Sequence, residues 1–225
     1  MSARARLPFR RFAGIVVVSG LLILSAGRID YWQGWLFFGL ILASALLSGS
    51  LMKTDLGLAA ERLRPGKGMM WWDKGYYILS TPLYFAAVVV AGLDAGRFRW
   101  SSPPKTEIYA FFLAFFFVGQ GLFLWSKKVN PFFSSVVRIQ ADRGQTVCRR
   151  GPYRMCRHPG YLGGLMFGLM TPLVLGSYWA LIPQGLAALL LVARTCLEDR
   201  MLMRDLLWYA DYAQAVRSRL IPGVW

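Results

Sequence analysis

Residues 108–125 read IYAFFLAFFFVGQGLFLW, an uninterrupted run without one charged side chain. As a helix rising about 1.5 Å per residue it covers about 27 Å, close to the roughly 30 Å of a bilayer's hydrocarbon core. Five more apolar segments flank it: Phe12–Ala26, Tyr31–Met52, Tyr76–Leu93, Tyr161–Leu175 and Trp179–Ala193. Apolar residues make up 56% of the 225 positions and charged residues 16%, against about 25% charged in an ordinary soluble domain. Mean hydropathy is +0.43. The balance excludes a water-soluble α/β enzyme, a disordered chain and a collagen-like one, and leaves an all-α integral membrane protein of five to six transmembrane helices.

The first segment follows Arg4, Arg6, Arg10 and Arg11. A signal peptide would look similar, but no small-residue cleavage site follows and a second apolar run begins at once, so an uncleaved span is expected. In the second segment Tyr31, Trp32 and Trp35 are expected at an interfacial aromatic belt. The fifth and sixth segments are joined only by Gly176, Ser177 and Tyr178. Each covers about 22 Å, so a tight, partly spanning hairpin is expected. Residues 1–126 are read as four N-terminal spans and 127–225 as a second region holding the hairpin and a tail. That tail, with Leu197, Met201, Leu202 and Leu206 among Asp199, Arg200, Arg204 and Asp205, reads as a helix leaving the bilayer and lying along its interface.

With the N-terminus inside and six crossings, 22 of the 26 lysines and arginines fall on the inner side. This is the asymmetry that topology selection produces. It places both termini in the cytoplasm, in the inner membrane if the cell is bacterial. The net charge of +15 is therefore an orientation signal and an attraction to anionic membrane lipids, with no nucleic acid as partner. Cys148, Cys156 and Cys196 are odd in number, fit no zinc spacing and look like reduced thiols. With a single histidine, no metal site is expected. Oligomeric state is not readable.

Two places carry chemistry. Gly151-Pro-Tyr-Arg-Met-Cys-Arg-His-Pro-Gly-Tyr161 holds the only histidine, two arginines and two tyrosines just before the hairpin. Pro159 suits a helix start, where free N–H groups favour an anion. A basic, lipid-anchoring loop explains the same residues equally well. Arg194, Glu198 and Asp199 lie where the last apolar segment meets the cytosol, Arg194 and Glu198 on one helix face. Ionisable groups at membrane depth tend to be functional, although a structural ion pair is the plain alternative.

The ordered set YRMCRHPGYLG (Tyr153–Gly163), LGSYWALIP (Leu175–Pro183), RTCLEDR (Arg194–Arg200) and YADYAQAVRSRLIPGVW (Tyr209–Trp225) resembles the isoprenylcysteine carboxyl methyltransferase family of membrane enzymes that use S-adenosylmethionine (SAM). The resemblance covers roughly residues 127–225. It implies a cytosolic cofactor-binding loop and tail, with cofactor contacts at Tyr153, His158, Pro159, Gly160 and Tyr161. A further contact segment falls on Gln145, Thr146, Val147 and Cys148. Gln145 stands where the family often has histidine, and it donates hydrogen bonds without carrying charge. The resemblance implies a catalytic pair in which Arg194 meets a substrate carboxylate and Glu198 meets the cofactor. The acceptor would be a lipidated cysteine carboxylate or another amphiphilic small molecule.

Such chemistry needs no general base, because a free carboxylate is ionised at pH 7 (pKa about 3.5). An arginine can orient it, and a dry pocket supplies proximity. Tyr153, Tyr161 and Trp179 are aromatic candidates for contact with a sulfonium. Gly163, Gly164 and Gly168 fit close helix packing better than a phosphate-binding turn. Two other readings stay open from sequence: an NADPH-dependent membrane reductase of the sterol-reductase type, and a non-enzymatic membrane scaffold.

Overall fold

The computed structural model describes residues 3–51 and 68–225. The basic connection expected between the second and third spans lies largely outside the described residues. Among those described there is no β-strand. Six apolar helices follow in order: α1 (Ala3–Ala26), α2 (Trp32–Leu51), α3 (Trp71–Ala91), α4 (Thr106–Val129), α5 (Pro159–Val174) and α6 (Leu181–Asp205). A short α7 (Tyr209–Ala215) closes the chain. Among the described residues four stretches are long and apolar enough to cross a membrane: Trp32–Ser50, Trp71–Phe98, Thr106–Val129 and Leu181–Asp205; Phe12–Ala26 and Pro159–Val174 are shorter apolar helices. Large apolar side chains also cover the outside, with Leu24 at 74% exposure, Ile78 at 71% and Leu189 at 66%. A bundle apolar on both its inner and outer faces is built for lipid.

One boundary and one side chain differ from expectation for physical reasons. α6 does not stop near Ala193 but runs on as one helix to Asp205, about 37 Å long, because Arg194 and Asp199 are buried against partners rather than exposed at an interface. The tail after it bonds back to the segment before α5. Tyr31 is also no belt residue: it is 2% exposed and its hydroxyl donates to the Leu175 carbonyl at the end of α5. Trp32 and Trp35 do face outward.

α4 packs most extensively on α5, and glycine makes the approach possible. A Cβ on Gly163 would lie 2.6 Å from the Gly119 carbonyl oxygen and 2.7 Å from the Phe123 nitrogen. α3 runs on into a π-helical turn, Gly92–Phe98, whose Gly92 and Gly96 press against the end of α1. There the fully buried Asp94 accepts from the Ser101 backbone N–H (2.7 Å), the Ser101 hydroxyl (2.6 Å) and the Ser177 hydroxyl (2.5 Å). This staples α3 to the turn between α5 and α6. The long connection 130–158 and the tail lie at the opposite end of the bundle, where residues of the two bond each other.

Gly163→Leu is expected to lower the thermal unfolding midpoint by forcing α4 and α5 apart, at a cost above about 3 kcal/mol. Gly164→Ala is the control, since a Cβ there meets only Leu191 at 3.7 Å. Equal midpoints for the two variants in detergent would contradict this packing.

Candidate functional site

Where α6 meets the long connection, one carboxylate organises the chain. Asp199 is 2% exposed. Arg157 grips it with two bonds, Nε to Oδ1 and Nη2 to Oδ2, each 2.8 Å. Arg219 Nε donates to Oδ2 at 2.9 Å, the Tyr209 hydroxyl to Oδ1 at 2.9 Å, and His158 Nε2 stands 3.2 Å from Oδ1. The remaining Arg157 nitrogen, Nη1, reaches the carbonyls of Val216 and Arg217. Successive backbone N–H groups of Arg157 and His158 donate to Ser218 and Arg219, each at 2.9 Å, and Tyr212 bonds the Tyr153 carbonyl at 2.7 Å. The tail is thus buttoned to the start of α5.

Between the tail, the connection and α6 lies a cleft of about 790 Å³, its open mouth included. Of the residues singled out from sequence, Gln145, Thr146, Val147 and Cys148 line one side, and Tyr153, His158, Gly160, Tyr161 and Glu198 line the rest. Pro159 is buried as the first residue of α5 and does not reach the cleft. Gly160 has a packing reason to be glycine: a Cβ would sit 2.5 Å from the Phe133 ring. Gln145 closes its own turn, its Oε1 accepting from the Gln140 N–H at 2.6 Å. The His158 ring stacks parallel to Tyr161 with centroids 5.6 Å apart, and the Tyr161 hydroxyl donates to Glu198 Oε2.

Burial raises the Cys148 thiol above its ordinary pKa and pushes Cys156 up to about 11. Both are protonated at neutral pH and are poor nucleophiles. Trp179, a candidate for contact with a sulfonium, is 54% exposed in the turn at the far end of the hairpin. The cleft does not include it.

Arg194 lies beside the cleft, not on its wall. It is 6% exposed, and it pairs with Asp73 rather than Glu198: Nε to Oδ1 2.7 Å, Nη2 to Oδ2 3.3 Å. Nη2 also donates to the Ser135 carbonyl at 2.8 Å. Three rings surround its guanidinium carbon, Tyr76 at 4.6 Å, Tyr161 at 5.2 Å and Tyr77 at 5.3 Å, so cation–π attraction adds to the ion pair. The paired edge is taken, and Nη1 is the nitrogen without a hydrogen bond among the described residues. Asp73 is fully buried and also accepts from the Val137 N–H at 2.7 Å. It therefore ties α3, α6 and the connection together.

Asp73, Tyr76 and Tyr77 went unnoticed in the sequence because the third span appeared to start only at Tyr76. The available signal was an acid at the mouth of an apolar run, WWDKGYYILS, the type of residue that membranes tolerate only with a partner. Asp199 was noticed as a charge but not as the centre of the tail.

The three acids now separate. Asp73 and Asp199 each pair with arginine, whereas Glu198 faces the cleft with the Tyr161 hydroxyl as its one hydrogen-bond partner and no cation within ion-pair distance among the described residues.

Asp199→Ala is expected to strand Arg157 and Arg219 without a countercharge, at a cost of about 3–5 kcal/mol. Limited trypsinolysis checks it: cleavage at Arg217 and Arg219 should speed up strongly. A tail as resistant as that of the parent protein would contradict the buttoning.

Residues 112–204 match the model of the isoprenylcysteine carboxyl methyltransferase (ICMT) family. No curated protein matches the chain. The matched segment holds α5, Arg194, Glu198 and Asp199. Asp73 lies before it, and Tyr209 and Arg219 lie after it.

Proposed function

We propose that this integral membrane protein, which carries an isoprenylcysteine carboxyl methyltransferase family domain at residues 112–204, transfers the methyl group of S-adenosylmethionine to the carboxylate of a lipidic, prenylcysteine-like acceptor or a similar amphiphile. The observation that carries the reading is the Glu198 side chain on the cleft wall, bonded by the Tyr161 hydroxyl but with no cation within ion-pair distance among the described residues. A buried or half-buried anion without a countercharge is costly, and SAM is a cationic ligand that would offset that cost. A nicotinamide dinucleotide would bring phosphates toward the same carboxylate, so the reductase reading loses support.

The chain's residues divide the work. Gln145, Thr146, Val147 and Cys148 on one wall and His158, Gly160 and Tyr161 on the other would hold the donor, with Glu198 toward its positive charge. When bound, SAM supplies an electrophilic methyl group on a sulfonium. Arg194 Nη1 would meet the acceptor carboxylate, while Asp73 and Ser135 hold the rest of the guanidinium still. The acceptor is already ionised at neutral pH, so no side chain has to remove a proton, and His158 can stay on Asp199. The contribution of the protein is orientation and the exclusion of water. Tyr161 bonds Glu198 through its hydroxyl and faces Arg194 with its ring, which puts one side chain between the donor and acceptor ends. Charge asymmetry in the loops supports cytoplasmic termini, where SAM is available, and an inner-membrane location in a bacterium.

Titration calorimetry in detergent tests the reading. S-adenosylmethionine and S-adenosylhomocysteine are expected to bind at micromolar levels, Glu198→Ala weakening both about tenfold or more. Arg194→Ala is expected to spare that binding and raise the KM for acceptor, and Asp73→Asn to do the same more mildly. Heat with NADPH but with neither adenosyl ligand would overturn the proposal. So would the same loss of donor binding in Arg194→Ala as in Glu198→Ala.

A further inference from the structure

A second cavity, of about 870 Å³, lies at the other end of the bundle and shares no lining residue with the cleft. α5 starts at the cleft, and its last turns, Phe167 to Pro172, line this cavity. α6 enters it at Gln184, in its first turn, before passing Arg194. The walls are mostly apolar, with Phe37, Ile41, Phe85 and Phe116 among them, as expected for an alkyl chain.

Two carboxamides do not fit that description. Gln184 is 93% buried, at 7% exposure, lines the cavity, and makes no side-chain hydrogen bond with any described residue. Gln120 lines it from α4; its Nε2 donates to Ser44, while its Oε1 is buried and unpartnered. An unsatisfied polar group away from water costs several kcal/mol, and leucine at either position would avoid it. Gly168 makes room for one of them: a Cβ there would stand 3.0 Å from Gln184 Nε2.

The cavity is also linked to the acceptor side of the site. Tyr84 lines it, and the Tyr84 hydroxyl lies 3.2 Å from that of Tyr76, whose ring faces the Arg194 guanidinium. Gln184 and Arg194 are ten residues apart on one helix, about 15 Å along its axis.

We infer that this cavity selects an acceptor whose apolar tail carries a hydrogen-bonding oxygen, a hydroxyl or carbonyl about 15 Å from the carboxylate, received by Gln184 and Gln120. The inference rests on the acceptor reading of Arg194 and adds the chemistry of the tail's far end. A plain hydrocarbon tail would fill the space but give neither the Gln184 amide nor the Gln120 carbonyl oxygen a partner.

The test uses the full chain in lipid nanodiscs and two probes, dodecanoic acid and ω-hydroxydodecanoic acid, whose extended chains match the span. The hydroxylated acid is expected to bind about tenfold tighter, the worth of one or two well-made hydrogen bonds. Gln184→Leu is expected to abolish that preference while keeping the affinity for dodecanoic acid and for S-adenosylhomocysteine. Its thermal midpoint should not fall, since an orphan amide has been removed. Gly168→Ala, which crowds the amide without changing its chemistry, should weaken the preference in the same direction. Equal binding of the two acids to the parent protein, as would follow if water satisfied both amides, overturns the inference. So does a preference that survives in Gln184→Leu. Because the readout is acid binding, the two proposals fail separately. A hydroxyl preference lost in Gln184→Leu would stand even if the adenosyl ligands did not bind, and methyl transfer with no hydroxyl preference would sink only the cavity's role.

Discussion

The functional end of this bundle depends on the neutralisation of Asp199. A carboxylate at 2% exposure on an apolar helix is tolerable only when its charge and lone pairs are met. Here they are met by two guanidiniums, a phenol and an imidazole drawn from both sides of the cleft. Arg157 and His158 come from the connection before α5, Tyr209 and Arg219 from the tail. Joining them at one point brings residues 145–161 and 209–219 together, and the cleft is the space left between these segments and α6. The histidine-proline motif is therefore first a structural clasp. His158 also presents a ring to the cleft, stacked on Tyr161, but its nitrogen is committed to Asp199.

The same rule, applied to each acid in turn, distinguishes structure from chemistry. Asp94 is satisfied by hydroxyls and a backbone N–H, and staples the far end of the bundle. Asp73 is satisfied by Arg194 and the Val137 N–H, and fixes the angle at which the guanidinium is presented. Glu198, one residue before Asp199 and one helical turn from Arg194, is offered a tyrosine hydroxyl alone. Where a fold compensates its buried charges so thoroughly, the acid left over on a cleft wall is the one that calls for a cationic ligand. The Gln184 carboxamide and the Gln120 carbonyl oxygen in the distant cavity follow from the same reasoning with neutral groups.

Much of this was legible in the chain. The apolar runs carry so few charges that six helices could be placed by composition, and several residues the sequence singles out, Tyr153, His158, Gly160, Tyr161 and Glu198, do meet at one cleft. What escaped was long-range. Asp73 meets Arg194 across a separation of 121 residues, and nothing local to WWDKGYY announces which arginine it will find. Tyr31 was assigned to an interfacial belt by residue type, yet the open carbonyl of Leu175 at the end of a short helix gives its hydroxyl a partner inside. The sequence reads the residues after Ala193 as a helix, and the chain is helical to Asp205, but charges usually mark the edge of the bilayer and do not show which of them will be paired inside. Here two of them, Arg194 and Asp199, are paired within the protein, so the helix has no reason to stop.

A structure of the full protein with S-adenosylhomocysteine tests the central claim most directly. The account expects the ligand between residues 145–148 and the Tyr161–Glu198 edge, its amino acid end toward the Glu198 carboxylate and beside, not on, the Asp73–Arg194 pair. Density for the nucleoside in the distant apolar cavity, or a cleft that stays empty at saturating ligand, would contradict it.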